Sequence, residues 1–581
     1  MRRATGWGAR ARRLGDRIQA RLAARVRSPG PLAWPEPRVA GDPGRGRQLL
    51  RGRLRAGQAV VSVQDRSIWD LAEPEAARLH GFGWLDDLAA QGTASARLLA
   101  QAWTRDWIDR EAKGTGPGWT AELAADRLIR CLGHSRFLLH PPGVGEDRLA
   151  RVVAVHAAFL ERRLRAAPAG RPRVAVLTSL ILAGLTLPEG RSLALRAGRR
   201  LAEEAGRAID PQGAIASRNP EELLDIADLL VTANRALTGA DLVPDPAIGA
   251  AMARAAPTLR ALRHADGGLA RFHGGCRGAE GRLDQVLAAA GRASAAILRG
   301  RVTLWMGYAR LAAGRTTVIV DAAAPPTGPA SMTAHASTLA FELTSGRRPL
   351  VVSIGSGRIF GARWRQAGRA TPSHSTLALD TVSSSRLGHP VPGEDGPRLA
   401  EVPARVLAEA GPPGEGQRIE LAHDGWRASH GLTHARILEL SGDGRCLWGE
   451  DMLTTLTAAD RAVFDSALDA ADRLGVPFAV RFHLHPDAEA DAAADGSVTI
   501  TLPSGEEWVF SGADEGMVAL EPSIYLEEGR LTPRSAQQIV LSGRALQPTT
   551  RLRWTLAKGS GTPEGLRDLN PRADWDEEDE E

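Results

Sequence analysis

The chain has 581 residues, too many for one ordinary compact domain, and 43% of them are hydrophobic, which excludes a disordered protein. Lys and Arg number 73 against 68 Asp and Glu, a net charge of only +5, so nothing in the charge balance calls for a polyanionic nucleic acid partner. Three cysteines, Cys131, Cys276 and Cys446, lie far apart without CxxC spacing, which argues against a disulfide framework or a zinc–cysteine site.

In chain order, residues 1–45 form a basic N-terminal segment beginning "MRRATGWGARARRLGDRIQARLAARVR". It lacks the continuous apolar run of a secretory signal, and no stretch of the chain is apolar for long enough to span a membrane. The two readings of the segment are a solvated helix and a basic amphipathic helix at a membrane surface. Residues 46–298 read as helix after helix. "TASARLLAQAWTRDWIDREA", "TAELAADRLIRCLGHSRFLL" and "NPEELLDIADLLVTANRAL" carry apolar residues at helical spacing, and breaks such as "KGTGPG" and "HPPGVGED" divide them. "AEPEAARLHGFGWLDDLAA" reads as one more helix. About ten helices with short connections predict a helical array that curves or closes on itself. From 299 to 560 strands dominate: "YARLAAGRTTVIVDA", "STLAFELTSGRRPLVVSIGSG", "FAVRFHLHPDAEA" and "GSVTITLPSGEEWVF" are short apolar runs joined by Gly turns, the pattern of an antiparallel sandwich. A single helix, "TAADRAVFDSALDAADRLG", interrupts them. Residues 561–581 form an acidic tail, read as solvated and disordered. The fold class is thus multidomain α+β, an N-terminal helical domain followed by a C-terminal antiparallel β-sandwich.

Several segments carry candidate chemistry. In "GAIASRNPEELLDI", Asn219 is placed to cap a helix whose first residue is Pro220, and the other reading has Arg218 and Asn219 binding a carboxylate in a cleft. The glycine-rich loop "GGLARFHGGCRGAEGRLD" holds Arg271, His273 and Arg277 and makes a reasonable site wall, without the order of a phosphate-binding loop. His335 in "MTAHASTLAFEL", His374 in "RATPSHSTLALD" and the strand-spaced pair His483 and His485 are candidates for structural, metal-binding or basic roles. "SHS" at His374 has no GxSxG elbow to make it a hydrolase nucleophile. Trp103, Trp107 and Trp119 present indoles for a core or for stacking on sugar rings.

The segments "GYARLAAGRTTVIVDA", "AHASTLAFELTSGRRPLVVSIGSG" and "RATPSHSTLALD", in that order, resemble the C-terminal domain of heparinase II/III-like proteins, and the resemblance extends over roughly residues 50–560. It implies an α/α toroid, an incomplete barrel of helical hairpins, followed by a β-sandwich. It also implies a polysaccharide lyase that cleaves an acidic, uronic-acid-containing glycan by β-elimination: the uronate carboxylate is neutralised, a base removes the C5 proton and an acid protonates the leaving oxygen. Carried over residue by residue, Asn219 with Arg218 would bind the carboxylate, and His273 is the candidate base. His335 and Tyr308 complete the candidate catalytic set, and Arg271, Trp103, Trp107 and Trp119 would bind substrate. The resemblance places a structural zinc at His335 and His374. The first histidine of the family's motif is Thr333 here, the expected aspartate ligand is Ser353, and the only two tyrosines, Tyr308 and Tyr525, both lie in the strand half. A degenerate glycan-binding or envelope-polysaccharide processing protein of the same fold is the alternative. The family implies the periplasm or cell envelope, whereas the N-terminus suggests the cytoplasm or the inner membrane face.

Overall fold

The computed structural model describes residues 2–562, apart from 28–31, 37–40, 57–58, 65–66, 72–74, 142–144, 292–302, 380–381, 392–395, 413–415, 514–516 and 561. Of the acidic tail only Thr562 is described, and the junction near 299 lies outside the described residues.

The first half is helical: α1 (Arg2–Ala23), α2 (Pro43–Leu50), α3 (Gly83–Gln91), α4 (Ala94–Glu111), α5 (Ala121–Gly133), α6 (Ser135–Leu138), α7 (Glu146–Arg163), α8 (Arg171–Thr186), α9 (Arg191–Ala208), α10 (Pro220–Gly239), α11 (Pro246–Ala261) and α12 (Arg282–Ala289). Local chemistry starts several of them. Thr93 and Thr120 cap α4 and α5 through their hydroxyls, and Asn219 and Asp245, each followed by Pro, cap α10 and α11. The helix α8 is apolar on all sides because it lies against α5, α7, α9 and α10, with Val174 to Gly184 buried. By contrast α9 buries only a stripe, Ala194, Ala197, Leu201, Ala202 and Ala205.

Two sequence expectations change here. "AEPEAARLHGFGWLDDLAA" is not one helix: a 3-10 turn at Glu75–Gly81 runs into Phe82, whose φ of 62° breaks the α-helical path before α3 begins. A small hairpin, β1 (Arg53–Ala56) with β2 (Ala59–Ser62), also sits among the helices.

The second half comprises β3 (Tyr308–Ala313), β4 (Thr316–Asp321), β5 (Phe341–Ser345), β6 (Arg348–Val352), β7 (Leu377–Leu379), β8 (Arg386–Pro390), β9 (Pro397–Glu401), β10 (Val406–Ala410), β11 (Gln417–Trp426), β12 (Leu432–Leu440), β13 (Cys446–Thr454), β14 (Val476–Leu484), β15 (Glu489–Ala492), β16 (Val498–Thr501), β17 (Glu507–Ala513), β18 (Met517–Tyr525), β19 (Arg534–Ala545) and β20 (Thr549–Lys558). One eight-stranded sheet has the order β10-β11-β12-β13-β20-β17-β16-β15; the other runs β18-β19-β14-β6-β5-β4-β3 with β7 paired to β14. Strand partners are antiparallel throughout, and β8 pairs with β9 apart from both sheets.

Alternation along the strands makes the sandwich core. In β11, Ile419 and Leu421 point inward between half-buried neighbours and belong to the same core as Trp508, Phe510, Trp554, Phe341 and Phe482. Phe341 and Trp554 stack across the two sheets at 5.9 Å. The helix seen in the sequence is Ala458–Ala470, closed by a capping box between Thr457 and Asp460. The strand read in "STLAFELTSG" begins at Phe341, and residues 333–340 before it, His335 among them, are irregular. The helical core also extends across the junction, since Met306, Tyr308, Ile319 and Ala340 pack into it. The β3–β4–β5 edge of the sandwich is therefore the surface on which the toroid rests.

Candidate functional site

The loop Asp210–Asn219 ends the approach to α10. Its carboxylate Asp210 accepts from the backbone of Gln212 and Ala214, which turns the chain so that Ser217, Arg218 and Asn219 face the sandwich. Arg218 has a φ of 52°, an uncommon conformation for a side chain with a Cβ. The reason lies in its guanidinium. Nε donates to the Met306 carbonyl at 2.9 Å, Nη1 to the carbonyls of Ala323 and Ala324 at 3.0 and 2.8 Å, and Nη2 to Gly307 carbonyl at 2.9 Å and Asp321 Oδ1 at 2.6 Å. All five N–H donors of an arginine are used. The Tyr308 hydroxyl donates to the Arg218 carbonyl at 2.6 Å, and its ring lies 4.7 Å from the guanidinium carbon and stacks on Phe272. Arg218 thus clamps the toroid to the β3–β4 edge.

Asn219 is committed through its oxygen. Its Oδ1 accepts from the backbone N–H groups of Glu221 and Glu222 at 2.9 and 3.2 Å, the capping arrangement read from the sequence. The glycine loop closes over it, and a Cβ at Gly275 would stand 2.5 Å from the same oxygen.

His273 is sealed, with no exposed surface, and its backbone also has a positive φ of 50°. Its Nδ1 accepts the His335 backbone N–H at 3.1 Å, which fixes the proton on Nε2, 3.5 Å from Asp321 Oδ2. Burial, and then the Arg218 charge, hold His273 well below the usual histidine range. His335 lies beyond it, its ring 5.1 Å from that of His374, and burial and His374 depress it in turn. His374 Nδ1 is 2.9 Å from Ser353 Oγ, and burial followed by the His483 charge brings its value down to about 3. Asp321, held by Arg218 and by Ser337 Oγ at 2.7 Å, is the anionic centre of this cluster; burial still raises it against the pull of Arg218.

The structure therefore brings Arg218, Asn219, His273, Tyr308, His335 and His374 to one place, the toroid–sandwich junction, but as interior groups. Arg218 is not available to a substrate carboxylate, Asn219 spends its oxygen on a cap and keeps only its amide N–H donors, and Tyr308 is fully buried with its proton committed and its phenol pushed well above the usual range.

The other expected substrate contacts change more sharply. Arg271 is not in an open cleft: its backbone N–H donates to Glu342 at 3.2 Å, its Nη1 to the Tyr525 hydroxyl, and His264 meets the same Glu342 oxygen at 3.0 Å. Trp103, Trp107 and Trp119 are 7%, 0% and 2% exposed. Trp107 covers the buried guanidinium of Arg127 at 4.1 Å, and Trp119 packs on His156 and Phe159, so the core alternative and not a sugar platform is what the fold contains. His483 and His485 do not converge either. His483 lies between Ser523 Oγ and the Pro372 carbonyl, both at 2.9 Å, while His485 accepts the Asp487 backbone N–H and packs on Tyr525.

A zinc at His335 and His374 is poorly matched to these residues. His335 Nδ1 and His374 Nε2 are buried without a hydrogen-bond partner, which is the sort of atom a metal would take. The third position, however, is the hydroxyl of Ser353, a neutral group where zinc sites use His, Cys or a carboxylate. Among the described residues the only trio of His, Cys, Asp or Glu with mutually close ligand atoms is Glu221, Cys276 and Glu528, within 4.8 Å of one another. Arg358 already supplies a cation there, 2.8 Å from Glu528 and 4.0 Å from Glu221. Burial and the Glu528 charge push Glu221 upward.

Sequence reasoning missed Asp321, Glu342 and Glu528. Asp321 had one signal, its position at the end of the apolar run "TTVIVD", where a charged side chain enters a buried strand.

Residues 301–555 match the family described as heparinase II/III-like, C-terminal. Over 559 residues the chain is 31% identical to FtsZ-localized protein C of Caulobacter vibrioides (strain NA1000 / CB15N), covering 93% of this chain and 91% of that protein. Among solved structures it is similar to heparinase III, with a TM-score of 0.66 at 13% identity, covering 96% of this chain and 90% of that one. It is also similar to heparan sulfate lyase HepC from Pedobacter heparinus, with a TM-score of 0.52 at 13% identity, covering 96% and 89%. At those identities the two structures speak for the fold: an α/α toroid followed by an antiparallel β-sandwich.

Proposed function

The chain belongs to the heparinase II/III-like family, and from that premise we propose that it is a member that works by binding at the site of FtsZ, without β-elimination. One observation carries the second half of this reading: all five donors of Arg218 are spent inside the protein, on four carbonyls and on Asp321. A lyase needs a cation or amide free to neutralise the substrate carboxylate, because that neutralisation is what stabilises the carbanion formed at C5. Here the guanidinium and the Tyr308 proton each have an intramolecular partner and His273 is buried behind them, which leaves only the amide N–H donors of Asn219, whose oxygen is spent on the cap, to meet a carboxylate.

The first half rests on the relative named for its localisation with FtsZ, to which this chain is similar over nearly its whole length. That likeness supports a reading in which this chain, too, localises with FtsZ. No helix among the described residues is long and apolar enough to cross a membrane. Cleavage of an acidic polysaccharide, the activity that the family resemblance implies, has one observation in its favour: Asn219, His273, Tyr308 and His335 gather at one junction.

The two readings separate in one experiment. Purified protein is incubated with a panel of uronic-acid polymers, and the ultraviolet absorbance of the unsaturated uronate is followed. In parallel, a fluorescent fusion is imaged with labelled FtsZ. The expected result is no unsaturated product and a fusion that follows the FtsZ ring. Turnover of any polymer, abolished in His273→Ala, would overturn the reading, as would a fusion spread evenly through the cell.

A further inference from the structure

A cavity of about 510 Å³ opens at the end of β4 opposite to Asp321. The β3–β4 turn, the β5–β6 turn and Ala265 of the toroid wall it; Arg310, Arg315 and Arg347 are in its lining, and no acid is. Arg315 and Arg347 are exposed on the two turns, which are joined by the Gly346 N–H donating to the Arg315 carbonyl at 2.7 Å. Arg310 is fixed in the wall. Its Nη1 donates to the carbonyls of Ala261 and Arg263 at 3.0 and 2.6 Å, and its Nη2 to Thr317 Oγ1 at 3.3 Å. These acceptors are neutral, no carboxylate among the described residues pairs with this guanidinium, and burial pulls it down to about 10. A wall of guanidiniums with no acid in it favours an anion.

The end of the described chain lies beside this cavity. Thr316 Oγ1 donates to the Gly444 carbonyl at 2.6 Å in the β12–β13 turn, and the next carbonyl of that turn, Arg445, accepts the Lys558 N–H at 2.8 Å. Lys558 Nζ is 2.7 Å from Glu506, which also accepts the hydroxyl of Ser345, the residue before Gly346 in the cavity wall. Thr562, the last described residue, donates from its hydroxyl to the Glu507 carbonyl at 3.0 Å. Asp574 follows twelve positions later, and every residue from 574 to 581 except Trp575 is an acid. Twelve residues reach about 40 Å when extended and about 20 Å on average as a coil. Either covers the short way from Glu507 past Glu506 and Ser345 to the cavity.

We propose that the arginine cavity is a binding site for acidic polypeptide and that its occupant is the segment 574–581 of the same chain. The charges are complementary: the arginines stand on β3 and on two different turns, an arrangement that a run of carboxylates meets one after another. Tethering decides between this segment and a separate acidic partner. A segment joined by a linker of this length acts at an effective concentration near the millimolar range, so a free acidic peptide of similar affinity has to displace it. The segment thereby sets a threshold for any other acidic ligand at this cavity. The inference goes beyond the reading of the junction site and does not depend on it, because the cavity lies at the other end of β4.

The probe is a fluorescein-labelled peptide with the sequence "ADWDEEDEE" of residues 573–581. Fluorescence anisotropy reads its binding to two full-length proteins. One is the wild type; in the other, Asp574, Asp576 and Asp579 are replaced by Asn, and Glu577, Glu578, Glu580 and Glu581 by Gln. The expected result is binding to the neutralised variant at least about tenfold tighter than to the wild type, because the tethered competitor is gone. That binding should weaken as salt is raised. Adding Arg315→Gln and Arg347→Gln to the neutralised variant is expected to weaken it about tenfold, since an exposed ion pair is worth a factor of about two to five. Should that protein fail to fold, Arg347→Gln alone is expected to weaken it about threefold. A peptide bound equally well by the wild type and the neutralised variant would leave the cavity to a separate acidic partner and overturn the assignment of the occupant. No binding to either protein, or binding that the arginine substitutions leave unchanged, would overturn the site itself.

Discussion

The guanidinium of Arg218 lies 2.6 Å from the Asp321 carboxylate, and the pair joins a loop of the toroid to the end of a sandwich strand. Asp321 is fully buried and Arg218 nearly so, and each depends on the other. Removing one member of such a pair leaves an uncompensated charge in a low-dielectric interior, which typically costs about 3–5 kcal/mol. Arg218→Ala is expected to lose that much, measured by denaturant unfolding, because it also strands four backbone carbonyls. Asp321→Asn, which keeps the shape and removes the charge, should lose less. Glycan affinity, if any is measured, should not change beyond what the lost stability explains. An Arg218→Ala variant that is as stable as the wild type would mean that the clamp is not what holds the two halves together.

Asn219 offers a sharper distinction between a structural and a substrate-binding role. As a cap its function is one oxygen accepting two backbone N–H groups, and Ser supplies that oxygen nearly as well. Asn219→Ser is therefore expected to stay within a few tenths of a kcal/mol of the wild type, while Asn219→Ala loses about 1 kcal/mol. A carboxylate-binding amide would behave differently, with Ser and Ala equally damaging to ligand binding and neither damaging to stability. Gly275→Ala should mimic the loss of the cap, since its Cβ would press on the same Oδ1.

The contrast between these residues explains what could be read from the sequence. Helices and strands were legible because their periodicity is local: the stripe of α9 and the alternation of β11 are written in consecutive residues. The cap at Asn219 was legible for the same reason, as a polar residue directly before Pro220. The convergence of Arg218, His273, His335 and His374 was visible only through likeness to a family. Their enclosure was not visible at all, because it depends on Met306, Gly307, Ala323 and Ala324 offering backbone carbonyls from 88 to 106 residues away. Backbone groups have no sequence signature. The tryptophans failed in the opposite sense: an indole looks the same in a sequence whether it faces a sugar or, like Trp107, a buried arginine.

Metal content follows from the Ser353 position. With only His335 and His374 as strong donors, purified protein dialysed against zinc is expected to retain well below one equivalent, measured by atomic emission. Zinc bound in a one-to-one ratio and lost in His374→Ala would show that the two imidazoles recruit further ligands, and it would reverse the assignment of Ser353 as a simple hydrogen-bond partner of His374.

Acid should unfold the protein earlier than its carboxylates alone would predict, because it carries so many neutral buried histidines. Burial brings His80 and His483 down to about 4, and His374 and His485 down to about 3, while His273, His335 and His423 are depressed by the same cause. In the unfolded chain each takes up a proton near pH 6.5. Between that pH and the depressed folded value, the unfolded state binds more protons than the folded one, so stability falls as pH falls. The contribution is fully present above about pH 6.5 and is lost progressively below it, at roughly 1.4 kcal/mol per pH unit for each histidine. Glu221, Asp87, Asp321, Glu222, Glu111 and Asp16 act in the opposite direction, since burial raises each of them and favours its proton in the folded state. They are outnumbered by the histidines just named, and the net slope keeps its sign. The expected measurement is an unfolding midpoint that drops steeply from pH 6.5 to pH 4.5. His423→Asn should flatten the dependence by about one proton's worth, because His423 is held neutral in the sandwich core, away from the junction cluster and beside His434, and takes up its proton only on unfolding. A midpoint that stays level across that range would mean that these imidazoles are reached by water and titrate in the folded protein.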